Sequence, residues 1–573
     1  MASVFLAIPT SAWLRGVEHI VFLTACGTVG FLALRAAWRG ELTRAVAATV
    51  LAAPGARAAL SSAFDAALTP MADTLSPASA DTLTSLPEAP REPSTLLASL
   101  DAAAAADAGA LAGAKNFGGI YHSVDHAGNA DARALGALQR GVATAFLDTN
   151  ALYPGLFAAA RRAEAEAVRM AVDLLRGPPG ACGLLTQGGT ESVLLAVKAH
   201  RDAALARLGF HAAGSGSGAP PPVAAAAAAG VTLAVLAATS AHPALDKAGE
   251  LFGVRVVRLP VEAGTLALSP RDLAAALARE PLPCCVYASA PGFAHGVVDP
   301  IPELAAVAAA CSGSRPWGAE GVPLHVDNCL GGVLLSFLPD SAGVPDFDFR
   351  VPGVSSVSMD LHKFGLAPKG ASVVAFRTAE RRRACYFSTA SFPGGLYATP
   401  TLAGSRSGAP GAVAWATLLF HGRAGYRRAA ERVGALFARL RAAVVATPGL
   451  ALLGEPHACI LAFAPAPGEV FSPHALAARM KARGWALPTV QHPPGVHVAV
   501  TERLLDGGAE DAWVRALRAC VGEARAAPRD PAFEGKGEAG IYGAAAVLPP
   551  GDVDVVLAKY LDIVTTVRAL GER

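Results

Sequence analysis

The sequence predicts an α/β fold: a large domain built on a mostly parallel sheet, followed by a smaller α+β region. Three observations carry this. Short apolar runs alternate with helical patterns through the middle of the chain, the rhythm changes after Tyr426, and two low-complexity stretches set off what lies outside the core. Strand-like runs lie at 231–238, 254–259, 284–288, 323–326, 353–359 and 372–376, with helical patterns at 158–175, 191–208, 243–252, 270–279 and 302–311. Strands that are apolar throughout, with helices between them, describe a parallel sheet covered on both faces. Ligand groups then gather at the carboxyl ends of the strands. After Tyr426 come a long Arg- and Ala-rich helix, a strand at 459–463, a helix at 473–483, short strands at 485–490 and 497–501, and a closing helix near 553–570. The expected domains are therefore 115–425 and 426–573.

Composition bounds the function. At 573 residues the chain has room for a large catalytic domain and smaller parts, and a net charge of +2 gives no electrostatic reason for a nucleic-acid partner. The nine cysteines are odd in number and no pair has zinc spacing, so they read as free thiols in a reducing compartment, and no metal site is expected. Residues 20–34 carry no charge and are followed by Arg35, Arg39 and Arg44. As a helix that run spans roughly 22 Å. Extended to 17–38 with its arginines snorkelling, it approaches a thin internal membrane of ~27 Å. It reads as a membrane anchor in residues 1–51 with the catalytic domain on the cytoplasmic side. An Arg-rich, acid-poor targeting peptide is the alternative. Residues 52–114, rich in Ser, Thr, Pro and Ala, read as a tether, and 214–229 as a surface loop.

The chemistry-bearing residues fall at strand ends. Ser358-Met359-Asp360-Leu361-His362-Lys363-Phe364-Gly365-Leu366-Ala367-Pro368-Lys369-Gly370 runs on from the strand at 353–359 and sets Lys363 beside His362 just past its end. Asp327, in His325-Val326-Asp327, closes another strand. A lysine and an aspartate on neighbouring strand ends are what pyridoxal phosphate needs. The amine joins its aldehyde, and the carboxylate keeps the pyridine nitrogen protonated so that the ring can absorb carbanion electrons. The lysine must then spend time neutral, which burial and nearby positive charge favour. Upstream, Thr186-Gln187-Gly188-Gly189-Thr190-Glu191-Ser192 precedes an apolar helix. Paired glycines let the backbone approach an anion, the helix start supplies free N–H groups, and Thr190 adds a hydroxyl. His242 follows the strand at 231–238, while His295 and Asp299 read as groups that fix a loop.

These motifs together resemble those of the sphingosine-1-phosphate lyases, within the pyridoxal-phosphate decarboxylase-like group, over about residues 115–545. Further matching stretches are Lys115–Tyr121, Asn150–Pro154, Gly394–Arg406 and the region of Tyr542. The resemblance implies a fold type I (aspartate aminotransferase-like) architecture and a homodimer in which the segments 115–121 and 394–406 reach the neighbouring site. It implies cofactor contacts from Lys363, Asp327, His242, Gly188, Gly189, Thr190, His362 and Ser358. Substrate contacts follow for Lys369, Arg406, Tyr121, Tyr153 and Tyr397, with Lys369 and Arg406 suited to a phosphate. The implied reaction is retro-aldol cleavage of phosphorylated sphingoid bases to a fatty aldehyde and phosphoethanolamine, on an endoplasmic reticulum membrane. Gln187, Tyr153, Leu361 and Phe364 stand where the family has serine, histidine, threonine and tyrosine. An amino-acid decarboxylase (a carboxy-lyase) uses the same Lys, Asp and His and is the alternative, with a non-catalytic membrane-bound homologue behind it.

Overall fold

The computed structural model describes residues 85–113, 115–116, 121, 130–211, 220–311, 316–528, 530 and 550–566, together with Leu68 and Leu83. The expected anchor at 17–38 lies outside the described residues. Among the described residues no helix is long and apolar enough to cross a membrane. Two units divide the chain, one of residues 1–114, 469–485 and 519–573, the other of 115–468 and 486–518. In the first, an alanine-rich helix at Pro93–Gly113 occupies the end of the expected tether and leaves Leu96, Leu97 and Leu100 exposed.

The second unit carries a seven-stranded sheet: β1 (Cys182–Thr186), β2 (Ala234–Ala238), β3 (Arg255–Leu259), β4 (Pro283–Ser289), β5 (Leu324–Asp327), β6 (Val354–Asp360) and β7 (Ser372–Phe376), in the order β1-β7-β6-β5-β4-β2-β3. Pairings from β3 through β6 are parallel, and only β7 runs against its neighbours β6 and β1. Every residue of β2, β4, β5, β6 and β7 is buried. That is why these strands read as unbroken apolar runs: helices cover both faces. The helices are α1 (Ala130–Ala145), α2 (Ala158–Leu174), α3 (Gly189–Arg207), α4 (Ala244–Phe252), α5 (Pro270–Leu277), α6 (Ile301–Ala310) and α7 (Ala409–Val445). The mostly parallel α/β sheet is as expected, and all but one of its strands were anticipated. β1 is the exception. Its Gly183 lies so close to β7 that a Cβ there would sit 2.9 Å from the Val374 carbonyl oxygen, and a glycine interrupts the apolar signal.

The antiparallel strands β10 (Leu450–Leu452), β11 (Ile460–Pro465), β12 (Thr489–Val490) and β13 (Gly495–Ala499) form a second sheet, in the order β10-β11-β13-β12. A hairpin of β8 (Phe387–Thr389) and β9 (Tyr397–Thr399) precedes it. The expected boundary at 426 falls inside α7, just after a break at Gly422, whose φ of 54° a residue with a side chain rarely adopts. The alanine run after Pro222, expected as loop, is helical at Pro222–Ala228, with Pro222 in the first turn where its missing N–H costs nothing.

Candidate active site

Between β1 and α3 only Gln187 and Gly188 turn the chain. Gly189 then meets the ends of β5 and β6 so closely that a Cβ would lie 2.9 Å from both Asp360 Oδ1 and Cys329 Sγ. The first N–H groups of α3 have no intrahelical partners and carry the positive end of the helix dipole. Glu191 fastens the turn: its Oε2 accepts the Gln187 N–H at 2.7 Å and its Oε1 the Leu402 N–H at 3.2 Å. A cavity of about 580 Å³ opens here, lined by Gln187, Gly188, Gly189, Thr190, His242, Ser289, Phe293, Asp327, Asp360, His362, Lys363 and Leu402.

Asp327, at the end of β5, is held as an anion. Burial works against its charge, but donors outweigh it: Tyr287 gives its hydroxyl to Oδ2 at 2.5 Å, and the Cys329 N–H reaches Oδ1 at 3.1 Å. With His242 nearby, they hold the carboxyl below the usual aspartate range. Tyr287 was not anticipated. The signal available was a tyrosine inside a fully buried strand, which must find a partner for its hydroxyl. His242 accepts the Ala244 N–H on Nδ1 at 3.1 Å, which leaves Nε2 as the donor of the ring.

Lys363 lies just beyond β6, and its Nζ is 3.0 Å from Asp360 Oδ2. His362 accepts the Ala371 N–H on Nδ1 at 3.3 Å and turns Nε2 to the same Asp360 oxygen, also at 3.3 Å. Burial opposes the charge on Asp360, yet the bond from His362 and the charge of Lys363 bring it down to about 2. Asp360 in turn overrides burial at Lys363 and holds its pKa above the ordinary lysine value. This differs from the sequence expectation of a lysine with a lowered pKa. The cause is the buried Asp360 carboxylate three residues back. Its other oxygen, Oδ1, is buried without a hydrogen-bond partner among the described residues.

A family model, the pyridoxal-dependent decarboxylase conserved domain, matches residues 164–464. The sphingosine-1-phosphate lyase of Dictyostelium discoideum is 32% identical over 73% of this chain and 72% of its own length, and that of Arabidopsis thaliana 33% identical over 76% and 74%. The chain belongs to the pyridoxal-dependent decarboxylase family, on its sphingosine-1-phosphate lyase branch. Rat sphingosine-1-phosphate lyase 1 (Rattus norvegicus) is 36% identical over 62% of this chain, and the match spans 57% of the rat protein. Among solved structures, a sphingosine-1-phosphate lyase of Burkholderia pseudomallei superposes with a TM-score of 0.68 at 33% identity, covering 79% of this chain and 95% of that one. A Lactobacillus brevis glutamate decarboxylase, 17% identical with a TM-score of 0.62 over 77% and 95% of the two chains, shares the fold.

The cofactor of this family is pyridoxal phosphate, and the residues fit it. Asp327 is a buried anion suited to a protonated ring nitrogen, and Gly189, where a side chain would meet Asp360 and Cys329, leaves bare backbone at a helix start suited to a phosphate. Gly188, Gly189 and Thr190 would hold the phosphate, Asp327 the ring nitrogen, His242 the ring face and Lys363 the aldehyde. Ser358 is fully buried and donates to Asp327 Oδ1 at 3.3 Å. The expected substrate residues lie farther out. Buried Tyr121 packs edge-on against Phe364 with ring centroids 5.0 Å apart, and Lys369 stands over its ring at 5.1 Å. Arg406 pairs with Glu164 at 2.5 Å, and Asn150 bonds Ser405 at 3.1 Å, so these two loops are tied together beside Leu402, which lines the cavity. Tyr153 is exposed, and Tyr397 packs against Phe387 and Phe392.

Asp299 fixes its loop as expected, accepting the Leu268 and Ser289 N–H groups at 2.8 Å each. Burial lowers His295 to about 4, as it does His325, and raises Asp299 to about 6. Unfolding lets both histidines regain a proton below the ordinary pKa near 6.5, so their contribution is full above that pH and is lost as pH falls toward 4. Asp299 acts in the opposite sense below pH 6. At pH 5 the histidines lose about 4 kcal/mol and Asp299 returns roughly 1 kcal/mol. Urea unfolding should therefore show a less stable protein at pH 5 than at pH 7, and buried His200, whose pKa burial also holds down, adds to the same trend. Equal midpoints would mean that these rings are not held neutral.

Proposed function

We propose that the chain is a pyridoxal-phosphate-dependent aldehyde-lyase that cleaves phosphorylated long-chain sphingoid bases to a fatty aldehyde and phosphoethanolamine. The cavity where Lys363, Asp327 and His242 converge beside the Gly188-Gly189-Thr190 turn supports the cofactor, and the observation that carries the lyase over a decarboxylase is the 32–33% identity to sphingosine-1-phosphate lyases against 17% to the glutamate decarboxylase. When bound, pyridoxal phosphate supplies a conjugated ring that stabilises the negative charge left as a bond to the amine-bearing carbon breaks. Asp327 stays ionised at the cavity floor through Tyr287. Lys363 Nζ rests protonated on Asp360 and must yield that proton before it acts as a nucleophile. His362 donates Nε2–H to the same carboxylate oxygen and so fixes the group that holds Lys363. The test is to incubate purified protein and cofactor with sphingosine 1-phosphate, and separately with glutamate and with aromatic amino acids. Fatty aldehyde from the first alone is expected; carbon dioxide from an amino acid would replace the lyase with a decarboxylase.

Substrate phosphate recognition is assigned to Lys369 and Arg406. Replacing either with alanine should raise the KM for phosphorylated substrate ~10- to 150-fold, the worth of a charge-assisted contact, and leave cofactor content unchanged. Unaltered kinetics in both variants would put the phosphate elsewhere. The assembly is a homodimer of fold type I subunits with residues of 115–121 and 394–406 at the neighbouring site. Exposed Phe392 and Leu396 on the 394–406 side, and Leu147, Tyr153 and Leu156 before α2, leave apolar side chains that a neighbouring subunit could cover. Sedimentation as an active monomer would exclude it. Each subunit has domains at 115–425 and 426–573. Residues 1–51 anchor it by a single span to the endoplasmic reticulum, with 52–114 as the tether and the enzyme facing the cytosol. Full-length protein should then resist alkaline carbonate. Release by carbonate, or a shortened form inside an organelle, would make the segment a targeting peptide.

A further inference from the structure

The face of the main sheet that α3 covers carries a polar stripe. His325 and Asp327 alternate on β5, and Ser356 and Ser358 stand beside them in register on β6. In strands buried on both faces, polar residues at a period of two need partners, and here they find one another. His200, fully buried on α3, reaches Ser356 Oγ through Nε2 at 2.8 Å, and Ser356 Oγ is 2.8 Å from His325 Nδ1. His325 Nε2 is 3.4 Å from Ser358 Oγ, which lies 3.3 Å from Asp327 Oδ1. At the far end Arg381 sets Nη1 3.4 Å from His200 Nδ1. A guanidinium only donates and a carboxylate only accepts. His200 Nδ1 must therefore accept, so Nε2–H donates to Ser356, whose hydroxyl donates to His325 Nδ1. His325 Nε2–H then donates to Ser358, and Ser358 to Asp327. The two ends leave one direction for every proton in the chain.

We propose that Arg381, His200, Ser356, His325 and Ser358 form a one-way hydrogen-bond relay, in which His200 and His325 are positioning residues that hold Asp327 ionised for the cofactor's ring nitrogen. The inference rests on the cofactor assignment above, and its first test does not need the cofactor. In full-length protein labelled with ¹⁵N-histidine, His200 and His325 should both be neutral with the proton on Nε2, with or without pyridoxal phosphate. An Nδ1–H ring at either position overturns the relay. Ser356→Ala removes the middle link, and His200→Met removes the donor. Each should weaken pyridoxal phosphate binding ~10-fold and shift the absorbance of the bound cofactor. His200→Gln, whose amide N–H can stand where Nε2–H did, should restore most of both. Arg381→Met leaves the carboxylate end to set the direction, so His325 should keep its proton on Nε2 in that variant too. Unchanged cofactor affinity and absorbance in Ser356→Ala and His200→Met would overturn the positioning role, as would a loss confined to the unfolding midpoint with tautomers intact. If the wild-type chain binds no pyridoxal phosphate, the cofactor assignment fails, and the ring tautomers still decide the relay.

Discussion

Lys363→Ala will reduce turnover by on the order of 10⁵-fold or more, the scale on which a covalent catalyst fails without its nucleophile. Borohydride treatment of the holoenzyme will then leave no cofactor attached to the chain, whereas the wild-type chain will be labelled at Lys363. The substitution has a second effect that separates chemistry from stability. Asp360, with a side chain only 2% exposed, loses the cation 3.0 Å away and keeps the His362 contact. Breaking a buried pair costs about 3 kcal/mol at the low end, which applies because the Lys363 side chain remains 23% exposed. Unfolding of the apo protein should show this loss. Asp360→Asn in the Lys363→Ala background should recover most of it, because the uncompensated charge is gone, while turnover stays absent. If the double variant regains activity, or if Lys363→Ala turns over within about 100-fold of wild type, Lys363 is not the attachment point.

Much of this site was legible because the α/β fold puts function at strand ends, and strand ends are visible in sequence. The apolar runs that become β2 and β4 through β7 are buried on both faces, so they stood out in the sequence; Asp327 and Asp360 close two of them, and Lys363 follows Asp360 by three residues. The Gly188-Gly189 turn could be read for the same reason, since a close approach of backbone demands glycine. Tyr287 and Asp360 were harder. Tyr287 sits on its strand in register with His325, while its hydroxyl reaches Asp327 farther along the neighbouring strand, a partnership set by sheet order rather than spacing. The pKa of Lys363 was expected to fall and is held up, because burial alone does not say which partner is buried with it. Arg406 suited a phosphate by type, but its guanidinium pairs with Glu164 on α2, a contact between segments far apart in the chain.

Asp327→Asn will lower kcat by about 10²–10³-fold, the scale of losing one preorganised electrostatic partner. The amide fills the same space and still accepts the Tyr287 hydroxyl, so the fold and the cavity should survive. What it lacks is the negative charge that favours a protonated ring nitrogen. The carboxylate is buried, and Tyr287, Ser358 and the Cys329 N–H all donate to it, so no other acid at that spot can replace it. Pyridoxal phosphate affinity should fall with kcat, and the absorbance of the bound cofactor should shift, while KM for the phosphorylated base changes little. Tyr287→Phe should show a smaller form of the same pattern, about 10-fold, because it removes one donor and leaves the charge. Combined with Asp327→Asn it should add little, since the hydroxyl acts through that carboxylate. Retention of more than a tenth of wild-type kcat by Asp327→Asn, or additive losses in the double variant, would mean that the ring nitrogen is stabilised by some other group.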